Sequence, residues 1–267
     1  MKPKNYLKKF ILNNGFISKS TTSKKKVAEL IDRLKPRSIS SEMIRMGPPA
    51  DGGYVLPDDL GGTEACFSPG VEQMSKFEED CLNKDMKIFL ADASVEKPNI
   101  DQPETRFNFL KKYIGTVNQG EYMTIDRWVH SSGVSKNAEL LLQMDIEYAE
   151  YPALLTISHQ LMQRFRIMII EFHGLEKLWD PDFFLIADSV FTKLLETHTC
   201  VHIHPNNFKR VVKNQGISIP KVAEFTFLRN DRDNFEAYQN QFPHELDYDN
   251  SSNEKSIVLP KSWYGLN

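Results

Sequence analysis

The acids and histidines of this chain gather where short apolar runs end. Ser68-Pro69-Gly70 follows one run, Asp92 a second, Asp145 and Glu147 a third, Glu171 and His173 a fourth, while His202 and His204 lie on a fifth. Charged groups beside apolar runs cost free energy unless they are paired or liganded, so this concentration marks a candidate site. Each residue type suggests a task. Gly70, in a strand-to-helix turn, lets the backbone approach a ligand, and an acid about 20 residues further on, as Asp92 is, suits hydrogen bonds from ribose hydroxyls. His173 and His204 titrate nearest neutral pH and are the candidate general bases. Asp145, Glu171 and His204 are a candidate ligand set for Mg2+ or Mn2+. His202 and His204 share one strand, and only one of them is expected to join the site.

Those groups need a sheet to align them. Apolar runs at Ala65–Phe67, Lys87–Ala91, Lys112–Ile114, Glu139–Met144, Arg166–Phe172, Thr199–His204 and Ala223–Leu228 read as strands. Helical patterns over Lys76–Lys84, Tyr151–Phe165 and Pro181–His198 alternate with them. This texture predicts an α/β domain with a doubly wound, seven-stranded, mostly parallel sheet carrying an antiparallel edge. Ligands of such sheets bind beyond the carboxyl ends of the strands, where the candidate residues stand. Apolar positions Tyr6, Leu7, Phe10, Ile11 and Leu12 suggest a docked N-terminal helix, and Val27, Leu30, Ile31 and Leu34 a second one. The serine cluster after Pro36 marks a boundary. Asp231 to Lys255, polar and acidic, reads as a mobile loop or lid, and Trp128, Trp179 and Trp263 read as packing residues.

Composition narrows the function classes. A formal charge of −3 gives no electrostatic case for nucleic acid, and a small or neutral substrate fits better. The three cysteines, Cys66, Cys81 and Cys200, form no CxxC pair and no disulfide framework, so a reducing, cytoplasmic setting is expected. Apolar runs fall short of the roughly 20 residues a transmembrane segment needs.

Met123-Thr124-Ile125-Asp126-Arg127-Trp128-Val129 and Leu142-Gln143-Met144-Asp145-Ile146-Glu147-Tyr148-Ala149-Glu150 resemble two signatures of FkbM-type methyltransferases, T-hydrophobic-D-x-hydrophobic and K-hydrophobic-D-hydrophobic-E-G-x-E. Ser68-Pro69-Gly70-Val71-Glu72 with Phe77-Glu78 is similar to a variant motif I of their glycan-modifying branches, with which His202-Ile203-His204-Pro205-Asn206-Asn207 also fits. The resemblance spans roughly Arg45 to Leu228. It implies a class I (Rossmann-like) fold, S-adenosyl-L-methionine as cofactor, and methyl transfer to a hydroxyl of a sugar or glycan. Residues 1–40 then form a helical appendage and residues 41–267 the methyltransferase domain. On this reading Ser68, Pro69, Gly70, Val71, Glu72, Asp92, Asp126, Gly53 and Tyr54 bind the cofactor. His173, Asp145 and His204 form the catalytic centre, and Tyr148, Glu147, Asn206 and Asn207 meet the acceptor. A sugar hydroxyl is a poor nucleophile at neutral pH and needs a base or a cation to activate it. Two departures stand out: motif I is reduced to Ser68-Pro69-Gly70, and Tyr148 stands where the signature has glycine.

Two other readings compete. Asp145, Glu147, His173 and His204 could serve a metal-dependent hydrolase, or the chain could be a non-catalytic α/β binding module. The first predicts no affinity for S-adenosylhomocysteine, and the second predicts tolerance of Asp145→Ala.

Overall fold

The computed structural model describes residues 19–71 and 75–266. The predicted helix around Tyr6 to Leu12 lies outside them. The described chain opens with α1 (Lys24–Arg33), where the Ser23 side chain accepts the Lys26 amide and closes one orphan donor of the first turn. Its apolar stripe of Val27, Leu30, Ile31 and Leu34 packs into the same core as the main sheet. Arg33 ties the helix to Asp188 and Thr192.

A hairpin of β1 (Met43–Met46) and β2 (Tyr54–Pro57) follows. Then come β3 (Thr63–Pro69), α2 (Lys76–Asn83), β4 (Lys87–Ala91) and β5 (Phe107–Leu110), and a two-stranded ribbon of β6 (Tyr113–Ile114) and β7 (Tyr122–Met123). The chain continues through α3 (Ile125–Ser131), β8 (Glu139–Met144), α4 (Glu150–Thr156), α5 (His159–Met162), β9 (Phe165–His173), α6 (Pro181–Leu195) and β10 (His198–Pro205). It closes with a hairpin of β11 (Val211–Asn214) and β12 (Ile217–Pro220), then β13 (Val222–Arg229).

The main sheet has seven strands in the order β10-β13-β9-β8-β3-β4-β5. All neighbours from β9 to β5 run parallel, while β13 runs antiparallel to both β9 and β10, so an antiparallel pair forms that edge. This is a doubly wound order. The chain leaves β3 toward β5 on one side and returns to β8 on the other, so the order switches between β3 and β8. That switch opens a crevice at the carboxyl ends. Every residue of β9 is buried, as a central strand covered on both faces requires. One face packs against α1 and α3 to α6, the other against α2 and the β1–β2 hairpin.

Four expectations change in detail. The third strand on the β4 side is Phe107–Leu110, and Tyr113–Ile114 forms the separate ribbon instead. The helix expected over Tyr151–Phe165 breaks into α4 and α5, because the Ser158 side chain accepts the Leu161 amide and caps a new helix start. The β11–β12 hairpin was not foreseen, although Gln215 and Gly216 carry the left-handed backbone its turn uses. The segment read as a mobile lid is instead docked on β10: Phe242 stacks on His202 with centroids 5.6 Å apart, and Asn250 and Ser251 are buried. Its polar residues face polar partners on the sheet edge, which a hydropathy reading does not see.

Candidate active site

The turn after β3 makes the first wall. Gly70 has φ 86°, and a Cβ there would stand 1.5 Å from the carbonyl oxygen of Asp145. Only glycine lets β3 and β8 end so close together. The Gly70 amide donates to Ala91 at 3.0 Å, and the Asp145 amide to Pro69 at 3.3 Å. Asp92, just beyond β4, accepts the Val71 amide at 3.1 Å and the Ser94 amide and hydroxyl at 2.7 and 2.6 Å. A carboxylate has about four acceptor sites, so Asp92 keeps capacity for a ligand hydroxyl. Gly70, Asp92, Ile114, Tyr122, Asp145 and Glu147 line a cleft of ≈ 350 Å³ here.

Not every residue expected at the cofactor lies in that cleft. Ser68 is fully buried, with its hydroxyl oxygen 2.5 Å from Glu78 Oε1 and 2.6 Å from Gln143 Oε1. One hydroxyl hydrogen serves one of these acceptors. Burial pushes the Glu78 carboxyl up, while the Ser68 hydrogen bond pulls it back down. Gln143 donates in turn to the Tyr54 hydroxyl at 2.9 Å. Ser68 and Tyr54 thus bind the hairpin to the sheet behind the cleft. Gly53 is enclosed by its own loop, where a Cβ would meet the Pro48 carbonyl at 2.0 Å. Asp126 accepts the Ser158 amide at 2.9 Å and lines a separate hollow with His130 and Arg164. Glu72 lies outside the described residues.

The end of β8 makes the opposite wall. Glu147 and Tyr148 both adopt left-handed backbone, φ 50° and 75°. Tyr148 therefore occupies a conformation that suits glycine, the residue the resembled signature has there. Its ring packs over Gly174, where a Cβ would stand 2.7 Å from Tyr148 Cε1. Lys177 Nζ lies 4.2 Å above the ring and His173 5.4 Å from it.

The same tight turn swings Glu150 inward. Its side chain is fully buried, and Oε1 accepts the Ile146 amide at 3.3 Å and lies 2.9 Å from His173 Nδ1. Nδ1–H is the donor to the Glu150 carboxylate, which fixes the tautomer and leaves Nε2 toward Asp145 and Glu147. The Tyr151 hydroxyl holds the His173 carbonyl at 3.0 Å. Nε2 then stands 3.4 Å from Glu147 Oε2 and 3.9 Å from Asp145 Oδ1. One ligand atom from each of Asp145, Glu147 and His173 falls within 4.8 Å of the others.

The electrostatics are unusual for a surface cleft. Burial pushes the Asp145 carboxyl up to about 7, against the pull of the neighbouring His173 ring and Glu171. Burial likewise raises Glu171, and the Asp145 and Glu224 carboxylates raise it further. Burial lowers the His173 imidazole, but the Glu150 hydrogen bond and the fields of Glu150, Asp145 and Glu147 outweigh it and hold the ring above its usual value.

The far side of the edge is closed. Glu171 touches Asp145 but accepts from Asn206 at 2.8 Å, while His204 turns to Asp247 at 3.5 Å. His204 and Glu171 therefore do not form one ligand cluster with Asp145 among the described residues. His202 and His204 lie two apart and share a sheet face, so both meet Asp247 and neither reaches His173. The Asn206 side-chain oxygen Oδ1 accepts the Phe208 amide at 2.9 Å. The Asn207 side chain exchanges hydrogen bonds with the Ser251 backbone at 2.8 and 2.9 Å. Asn207 fastens the C-terminal segment, Asn206 braces Glu171 and its own turn, and neither lines the cleft. The residue to which the sequence reading gave no role is Glu150, although it is the last acid of the resembled signature.

No family model matches the chain, and no curated protein does. Among solved structures it is similar to a TehB-like SAM-dependent methyltransferase from Corynebacterium glutamicum, with 13% identity, 85% of this chain and 97% of that one covered, and a TM-score of 0.32. A putative RNA methyltransferase from Pyrococcus horikoshii gives 11% identity over 78% of this chain and 99% of that one, with a TM-score of 0.34. An N-methyltransferase from Bradyrhizobium japonicum gives 11% identity over 63% and 86%, with a TM-score of 0.31. These likenesses are of folding pattern alone, and the assignment of this chain to the doubly wound α/β class rests on its own strand order.

Proposed function

We propose that the protein is an S-adenosyl-L-methionine-dependent O-methyltransferase of FkbM type, acting on a hydroxyl of a sugar or glycan. The observation that carries this reading is the cleft at the β3/β8 switch, lined by Gly70, Asp92, Asp145 and Glu147, with His173 standing beside the last two. Asp92 receives the ribose hydroxyls, and the glycine turn admits the cofactor backbone-close. Methyl transfer from a sulfonium is an in-line displacement that needs the acceptor oxygen positioned and its proton removed. The His173 group is placed to do both. The acidic surroundings and the net charge of −3 favour a neutral acceptor over a nucleic acid.

The competing hydrolase reading used His204 as a fourth member, and His204 is engaged with Asp247. Calorimetric titration with S-adenosylhomocysteine tests the proposal. Binding is expected, with Asp92→Ala weakening it about tenfold to a hundredfold by loss of charge-assisted hydrogen bonds. Absence of binding sinks the reading. Labelled cofactor with rhamnose, fucose and heptose glycans then tests the acceptor.

A further inference from the structure

We propose that Asp145, Glu147 and His173 form a site for one divalent cation, Mn2+ or Mg2+, beside the cleft at the carboxyl ends of β8 and β9. The inference deepens the methyltransferase reading and rests on it only for the acceptor oxygen that would complete the shell.

Three independent features point to a missing ligand. The His173 side chain is 5% exposed, and its Nε2 has no hydrogen-bond partner among the described residues. It aims between two carboxylates at 3.4 and 3.9 Å. These distances are too long for good hydrogen bonds, yet they match neighbouring ligands of one ion, about 3 to 4 Å apart when each sits about 2.1 Å from it. Asp145 Oδ1 is likewise buried without a hydrogen-bond partner. Such an atom pays a desolvation cost that a cation would offset.

The second feature is the support behind the histidine. Buried Glu150 holds Nδ1 at 2.9 Å, which is the carboxylate–histidine arrangement that orients a metal-ligating imidazole. The third is charge balance. No lysine or arginine nitrogen lies within 4.0 Å of Asp145 or Glu147 among the described residues, so the carboxylates have only the imidazole against them. One nitrogen among oxygen ligands suits Mn2+ better than Mg2+, and the three protein atoms leave positions open for water and an acceptor oxygen. Glu171 and His204, drawn elsewhere by Asn206 and Asp247, are not ligands.

The test is a titration of the full chain, stripped with chelator, by MnCl2 and by MgCl2, followed by calorimetry and by the loss of the free Mn2+ electron-resonance signal. The expected result is one saturable equivalent of Mn2+. Glu147→Gln, a change to a side chain 69% exposed and therefore safe for the fold, is expected to weaken binding at least tenfold. Glu150→Gln should weaken it about 10- to 100-fold through the orientation of His173. No saturable binding up to millimolar metal, or equal affinity in wild type and both variants, overturns the proposal. A parallel S-adenosylhomocysteine titration separates the two ideas: cofactor binding without metal binding removes only the cation, and the reverse removes only the methyl transfer.

Discussion

His173 ends β9 at its carboxyl end, and His198 begins β10 at the amino end of the same sheet. Both rings are buried, yet their surroundings drive them apart. His198 donates from Nε2 to the Phe165 carbonyl at 2.8 Å and pairs through Nδ1 with the Thr197 hydroxyl at 2.8 Å. Burial dominates there and pulls the imidazole down to about 4. His173 has three carboxylates against it and is held up. The amino end satisfies a polar ring with neutral partners and makes it inert. The carboxyl end collects charge that the fold leaves incompletely paired, which is what a site requires.

The largest effect should come from the charged end. His173→Gln is expected to lower the rate of methyl transfer about 10²- to 10⁴-fold while S-adenosylhomocysteine affinity stays within a few-fold. A matching loss of cofactor binding would move His173 out of the acceptor half. Gly70→Ala forces a Cβ onto the Asp145 carbonyl and an unfavourable left-handed backbone, so urea unfolding should show about 2–4 kcal/mol of lost stability. An unchanged midpoint would mean that β3 and β8 do not approach as described.

The inert histidine gives a pH signature. Its native value lies below its unfolded value near 6.5, so it leaves stability unaffected above that pH. As pH falls from about 6.5 toward 4 the unfolded ring gains its proton first, and up to about 3 kcal/mol is lost. Urea titrations at pH 7 and pH 4.5 should show this slope reduced in His198→Gln relative to wild type. Equal slopes would contradict the assignment. The smallest effect is at Tyr148→Gly, which relieves left-handed strain of about 1–2 kcal/mol but loses the His173 and Lys177 ring contacts. A change in melting temperature of only a few degrees is expected, with activity altered more than stability.

Much of this arrangement was legible before folding. The strand runs of β3, β4, β8, β9, β10 and β13 show as apolar segments because these strands are buried on both faces, and Asp92, Asp145 and His173 announce themselves as polar groups at their ends. The third strand was misplaced because Phe107–Leu110 is a half-exposed edge with a weak apolar signal. The residues expected at the cofactor separate in space, Gly70 and Asp92 in the cleft and Ser68, Tyr54 and Asp126 outside it, for a related reason. Gly70 and Asp92 depend on local turn chemistry, whereas Ser68, Tyr54 and Asp126 are polar groups whose partners, Glu78, Gln143 and Ser158, are set by packing.

The amino-acid sequence by itself determined the doubly wound α/β class, the crevice edge and the candidate acids, since hydrophobic period and turn residues act over short range. Only the tertiary structure decided which of those acids work together. It sent Glu171 to Asn206 and His204 to Asp247, and through the left-handed turn at Glu147 and Tyr148 it buried Glu150 behind His173. The physical reason is that a buried charge takes the partner that packing brings within hydrogen-bond reach, and that partner can lie anywhere in the chain.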